Sequence, residues 1–208
     1  MCKINFKKTL PYIGSILFMI ILSYIYFSPD ILEGKVLFQG DTQQGIAIGQ
    51  EGKAFREATG ETTRWTNSLF SGMPNFQISP SYANNYWMGQ IGRIYHLGLQ
   101  SPASLVFIMM LGFFILLSAM KIRWYLALVG AIAYAFSSYF FIIIGAGHIW
   151  KFIPLAYIPP TIAGIILAYR GKYIGGAALI GFFGMMQITS NHIQMSYYFM
   201  FFIAALVI

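Results

Sequence analysis

Five stretches of this chain, residues 10–27, 101–120, 124–144, 152–169 and 173–188, contain no charged side chain at all. An α-helix rises about 1.5 Å per residue, so about 20 mostly apolar residues cross a hydrocarbon layer about 30 Å thick. The five stretches meet or approach that length, and a sixth begins near Met195 and is still apolar at Ile208. Composition agrees: 58% of residues are hydrophobic and 9% charged, whereas a soluble domain carries about a quarter charged residues. Too few polar side chains remain to cover a water-exposed surface. The expected fold class is an all-α polytopic membrane protein of about six transmembrane helices, with a long, partly helical extracytoplasmic loop after the first span. Because Ile208 falls inside an apolar run, the chain is expected to be the N-terminal fragment of a longer protein.

Lys3, Lys7 and Lys8 precede the first apolar stretch as the basic region of a signal peptide would. That stretch is longer than a usual signal core and ends in Tyr24, Tyr26, Phe27 and Pro29 instead of an A-x-A-like cleavage site. It reads as a retained anchor. If the spans alternate, Lys3, Lys7, Lys8, Lys121, Arg123, Arg170 and Lys172 share one side, while the short loops opposite carry only Lys151. Cytoplasmic loops are enriched in Lys and Arg, so the N-terminus is expected in the cytoplasm. The domain reading is then a basic N-terminus (1–9), a first span (10–27), an extracytoplasmic loop (28–100) and a bundle of spans two to six (101–208).

All six carboxylates, Asp30, Glu33, Asp41, Glu51, Glu57 and Glu61, fall in the 28–100 loop beside Lys35, Lys53, Arg56, Arg64 and Arg93. The loop is nearly neutral. The chain's formal charge of +7 therefore describes a basic membrane face and gives no reason to propose a nucleic-acid partner. Cys2 is the single cysteine, so no disulfide staples the loop.

The loop is too long for a plain connector and too aromatic for a disordered one. At its end, Tyr82, Tyr86, Ile91, Ile94 and Tyr95 recur near helical spacing, which suits an amphipathic helix on the outer bilayer surface. Gly89 and Gly92 weaken that reading, and an aromatic belt without a ligand explains the same residues. Earlier, Gln39-Gly40-Asp41-Thr42-Gln43-Gln44 sets one carboxylate among amides and a hydroxyl; by its chemistry alone Asp41 is a turn or helix-cap residue. In the run from Trp65 to Pro74, Gly72 and Pro74 fix a bend while Trp65 and Phe70 are free to dip into the interface; by spacing alone this is a buried turn.

The two short outer loops are unusually polar. Gly145-Ala146-Gly147-His148-Ile149-Trp150-Lys151 joins spans three and four, and the run from Gln187 to Gln194, with Asn191 and His192, joins five and six. Such groups at membrane depth are costly unless they face a cavity or one another, which makes them site candidates. His96, His148 and His192 all fall on the outer side, but no close H-x-x-x-H or C-x-x-C spacing occurs, so no metal ligand is assigned.

The order of these pieces resembles the YfhO family of large bacterial membrane proteins, related to the GT-C glycosyltransferases. The matching residues are Gln39-Gly40-Asp41 with Gln44, Trp65-Thr66-Asn67 with Gly72-Met73-Pro74, Gly147-His148 with Lys151 and Pro154, and Asn191-His192 with Gln194 and Tyr197-Tyr198. Members of that family are much longer. The resemblance implies a GT-C-like fold in the bacterial inner membrane and the transfer of a sugar from a polyprenyl-phosphate donor to an extracytoplasmic acceptor, a glycan or lipid. It implies Asp41 as the catalytic carboxylate and Gln44, Arg64, Trp65, Arg93, His148, Lys151, Asn191, His192 and Gln194 as substrate-binding residues. A divalent metal is compatible with such chemistry but not indicated. A membrane transporter or lipid-handling protein is the alternative: Pro154, Pro159 and Pro160 are expected to break the fourth span, and broken spans border transport sites, yet no acidic residue lies within any span to couple a proton or cation.

Overall fold

A continuous run of buried side chains from Ala103 to Met110 places one helix at the centre of the molecule, since a helix buried on every side must be surrounded by others. The computed structural model describes residues 6–76 and 85–208. Cys2, Lys3 and Tyr82 lie outside the described residues. In chain order the helices are α1 (Phe6–Tyr26), α2 (Ser28–Leu32), α3 (Gly40–Thr59), α4 (Asn85–Tyr95), α5 (Ala103–Ala119), α6 (Trp124–Ala135), α7 (Ser138–Ala146), α8 (Ile149–Tyr169), α9 (Tyr173–Thr189) and α10 (Ile193–Val207). Two antiparallel two-residue strands, β1 (Trp65–Thr66) and β2 (Met73–Pro74), pair Trp65 with Pro74 and Thr66 with Met73.

The expected apolar stretches reappear as helices, with two corrections. The third, 124–144, is not one straight helix. It divides into α6 and α7, bent by 45°, where Ser137 is extended at ψ 143°. The break follows a Ser137-Ser138 pair, whose hydroxyls compete with helical hydrogen bonding, and Tyr26 at the end of α1 packs against Phe136 and Phe141 on both sides of it, at 5.3 and 4.8 Å. The fourth stretch is not broken: α8 runs continuously through Pro154, Pro159 and Pro160. Pro160 has no N–H for the Ala156 carbonyl, and Gly112 of α5 lies so close to that oxygen that a Cβ would come within 2.5 Å. Neighbouring chain thus covers the carbonyl that Pro160 leaves open.

By length and composition, the segments Thr9–Tyr26 and Ile149–Tyr169 are each able to cross a membrane, and α6 with α7 makes a third if the bent pair is one span. Helices α5, α9 and α10 are apolar but shorter. The hydroxyls within these helices bond locally: Ser15 to the Pro11 carbonyl at 2.8 Å, Ser23 to Met19 at 2.9 Å and Thr161 to Tyr157 at 2.8 Å. Each of these three O–H groups is thereby satisfied within its own helix, whereas the buried Ser118 hydroxyl of α5 has no partner among the described residues.

Helices α8 and α9 form the tightest pair. A Cβ on Gly164 would meet the Gly176 carbonyl oxygen at 2.8 Å, and one on Gly176 would meet the Gly164 oxygen at 2.7 Å. Small residues allow backbones this close. At one end of the molecule the Arg170 guanidinium donates to the Ala119 carbonyl, the Tyr169 hydroxyl donates to Val207 at 2.8 Å, and Tyr12 meets Phe114 edge-on at 6.0 Å. Lys121, Arg123, Arg170 and Lys172 therefore gather there, while the α7–α8 and α9–α10 turns lie at the opposite end.

Candidate functional site

Residues 39–42 are docked on the α7–α8 turn by hydrogen bonds to carbonyls at the C-terminal end of α7. Gln39 Nε2 donates to the Ile144 carbonyl at 2.6 Å. The Thr42 hydroxyl lies between Gln39 Oε1 at 3.1 Å and the Gly147 carbonyl at 3.4 Å. Gly147 makes this approach possible: it ends α7 at φ +89°, and a Cβ there would come within 2.9 Å of Thr42 Oγ1. Only glycine adopts that conformation without strain and leaves that space.

Docked in this way, Asp41 accepts a hydrogen bond from His148 Nδ1 at 2.7 Å, with both side chains about half exposed. Asp41 is neither a turn nor a cap residue. Gln39 is the N-cap and Asp41 sits in the first turn of α3, where the positive end of the helix dipole favours a carboxylate. His148 is itself the N-cap of α8. One turn into α8, the Lys151 ammonium lies 5.5 Å from the centre of the Tyr139 ring, a cation–π distance.

His192 completes the group from the α9–α10 turn. Its Nδ1 caps α10 by accepting from the Met195 amide at 3.3 Å, so the remaining proton of the neutral ring is on Nε2. Burial lowers its pKa below the ordinary histidine value, and the nearby charges of Lys151 and His148 lower it further. Asp41, His148, Lys151 and His192 are therefore brought together at the meeting of three helix N-termini. Next to them Asn191, at φ +58°, donates from Nδ2 to the Phe76 carbonyl at 2.9 Å, which ties the outer segment to the second turn as well.

The other expected site residues are placed differently. Gln44 is exposed on α3, one turn beyond Asp41. Gln194 donates along α10 to the Tyr198 hydroxyl at 3.5 Å. Arg93 is exposed on the last turn of α4; this helix forms through Gly89 and Gly92 because Ile91 and Tyr95 pack against the core. His96 is apart from the other two histidines: it is paired with the Tyr157 hydroxyl at 3.5 Å, and burial lowers its pKa. Among the described residues, no group of three His, Cys, Asp or Glu side chains is placed to hold a metal ion.

Arg64 and Trp65 belong to the β1–β2 hairpin, which is an exposed turn and not a buried one: Trp65 is 51% and Phe70 87% exposed. It is organised by a residue that the sequence did not single out. The Glu51 carboxylate accepts from the Thr66 hydroxyl at 2.8 Å, the Asn67 amide N–H at 2.7 Å, Asn67 Nδ2 at 2.9 Å and the Ser68 amide N–H at 3.0 Å. Hydrogen bonds from Thr66 and Asn67 above all hold its pKa below the ordinary carboxylate value. A carboxylate followed fifteen residues on by Thr66-Asn67-Ser68 was the available signal. Gln39, which holds the Ile144 carbonyl and the Thr42 hydroxyl, is a second such organising residue.

No protein-family model matches the chain, and no curated protein or solved structure matches it.

Proposed function

We propose that the chain is part of a membrane glycosyltransferase of the GT-C type, similar to the YfhO family, in the bacterial inner membrane. It crosses six times, with α6 and α7 together as one span, and its N-terminus and basic end face the cytoplasm. The gathering of Lys121, Arg123, Arg170 and Lys172 at one end supports that orientation. Helices α5 and α9, at 17 residues each, are at the short limit for spanning, roughly 17 to 25 residues.

The observation that carries the reading is the contact between Asp41 and His148 beside Lys151 and His192. It combines an accessible carboxylate, fit to take a proton, with cationic and dipolar groups, fit to hold an anion. The donor is a polyprenyl-phosphate sugar in the outer leaflet. The acceptor hydroxyl oxygen attacks the anomeric carbon, the bond from that carbon to the phosphate oxygen breaks, and the electron pair leaves with the phosphate. Asp41 takes the hydroxyl proton. Lys151 and the Nε2–H of His192 receive the departing phosphate charge, and His148 orients the Asp41 carboxylate.

Asparagine preserves the size of Asp41 and cannot take a proton. In membranes that contain this protein, Asp41→Asn is expected to lower sugar transfer from labelled polyprenyl-phosphate donors by roughly a hundredfold or more, the range for losing a general base. Donor binding is expected to survive. Wild-type protein that transfers no sugar, or an Asp41→Asn variant with full activity, defeats the mechanism. A transport function then leads, supported by the 45° break between α6 and α7, because discontinuous spans border transport sites.

A further inference from the structure

Gln187 is 97% buried, with 3% of its surface exposed, and neither its Oε1 nor its Nε2 has a hydrogen-bond partner among the described residues. Its backbone carbonyl is satisfied by the Ser190 hydroxyl at 2.6 Å, so only the side-chain amide is left open. An enclosed amide without partners costs free energy that a leucine of similar volume would not.

Its position follows from the register of α8 against α9. Gly164 faces Gly176, and further along Tyr157 packs on Phe183 at 6.3 Å. One turn from that pair toward the site brings Ile153 level with Gln187, and another brings Ile149 level with Asn191, beside His148 and His192. The unpartnered amide thus sits one turn beneath the polar cluster, on the helix pair that carries Lys151 and leads into the turn of His192. One turn deeper again, Tyr95 packs on Tyr157 and Phe183, at 5.8 and 5.3 Å, and its hydroxyl also has no partner among the described residues.

We propose that Gln187 is the buried floor of the site and that its amide recognises a hydroxyl of the carrier-linked sugar, accepting with Oε1 and donating with Nε2. This rests on the transferase reading. A sugar hydroxyl suits the position because it donates and accepts at once, as the amide does. A site built to bond a hydroxyl discriminates against a ligand that lacks one, so Gln187 sets the preference for a loaded carrier over the bare carrier.

The test compares binding of short-chain polyprenyl-phosphate hexoses (glucose, galactose and mannose) with binding of sugar-free polyprenyl phosphate, using the protein in lipid vesicles. Wild type is expected to prefer at least one loaded carrier. Gln187→Leu is expected to weaken that carrier's binding by about tenfold, to leave the bare carrier's binding unchanged, and to keep or raise the thermal midpoint because an unsatisfied amide is gone. Gln187→Met, unbranched and of the same length, repeats the test should leucine disturb packing. A preference kept in the folded variants overturns the proposal and leaves the transferase reading intact. Loss of preference only alongside loss of folded protein in both variants also overturns it, marking the amide as structural. Wild type that binds neither carrier removes the transferase reading and this proposal together.

Discussion

The α5–α8–α9 bundle and the segment 28–76 are held together by different physics. In the bundle, backbones approach through glycines and the core contains large apolar side chains such as Phe107, Phe152 and Tyr157; no single polar contact organises it. In the outer segment, neither α2 nor α3 buries a residue; hydrogen-bonding side chains, Gln39, Asp41, Thr42 and Asn191, tie it to the bundle, and Glu51 holds its hairpin on α3. The bundle should therefore be sensitive to volume and the outer segment to individual donors and acceptors. Charged and polar side chains collect where the two regions meet.

The largest effect should come from volume in the bundle. Gly176→Val forces a Cβ against the Gly164 carbonyl and Ala168, and is expected to cost more than about 3 kcal/mol, above the usual overpacking range because backbone must move. Gly181→Val on the same helix, where a Cβ meets nothing within 4 Å, is the control and should change stability by less than about 1 kcal/mol. Thermal midpoints in detergent decide between them. Equal losses would mean that close packing is not what holds α8 to α9.

At the junction, Lys151→Ala and His192→Ala are each expected to reduce sugar transfer by roughly tenfold to a hundredfold, the scale for losing one charge-stabilising donor. Abundance in the membrane should stay near wild type, since Lys151 and His192 are only partly buried. Activity that falls only in step with abundance would instead assign both to folding.

A smaller, local effect is expected in the hairpin. With a folded pKa below its ordinary value of 4.5, Glu51 binds fewer protons in the docked hairpin than in the undocked one. The docking it provides is therefore complete above about the ordinary carboxylate value and is lost as pH falls through the lowered one. Glu51→Gln should accelerate hydrogen exchange at the Asn67 and Ser68 amides several-fold at neutral pH, and the difference from wild type should shrink in acid. Residues around Gly164 and Gly176 should exchange as before. A pH-independent difference would detach the effect from the carboxylate's charge.

How far the sequence could be read follows the same division. Uncharged runs locate α1, α5, α9 and α10 to within a few residues because a sustained apolar run of that length is legible in the chain itself. The bend at Ser137 and the continuity of α8 through three prolines depend on neighbours, Tyr26 and Gly112, that are distant in the chain. Helix α3 was missed altogether. With no buried residue and glycines at 40, 45, 49 and 52, it has no apolar stripe to reveal a 3.6-residue period. Its stop signal at Gly60, in the left-handed conformation with its amide on the Arg56 carbonyl at 2.8 Å, was visible but unaccompanied. For the site, motif order names Asp41, His148, Lys151 and His192 among others, and the fold brings these four side chains together. The same reasoning grouped Trp65 with them because sequence order cannot separate a hairpin organised by Glu51 from a site organised by Asp41.

Whether Asp41 meets His148 decides whether the outer segment and the bundle share a site at all. The most direct measurement is disulfide formation between Asp41→Cys and His148→Cys in a Cys2→Ala background, read by peptide mapping after mild oxidation in native membranes. The 2.7 Å contact between the native side chains leads us to expect a linked peptide in high yield, with far less from Phe55→Cys paired with His148→Cys, since Phe55 lies four turns farther along α3. Equal, low yields from both pairs would contradict the docked arrangement and the site built on it.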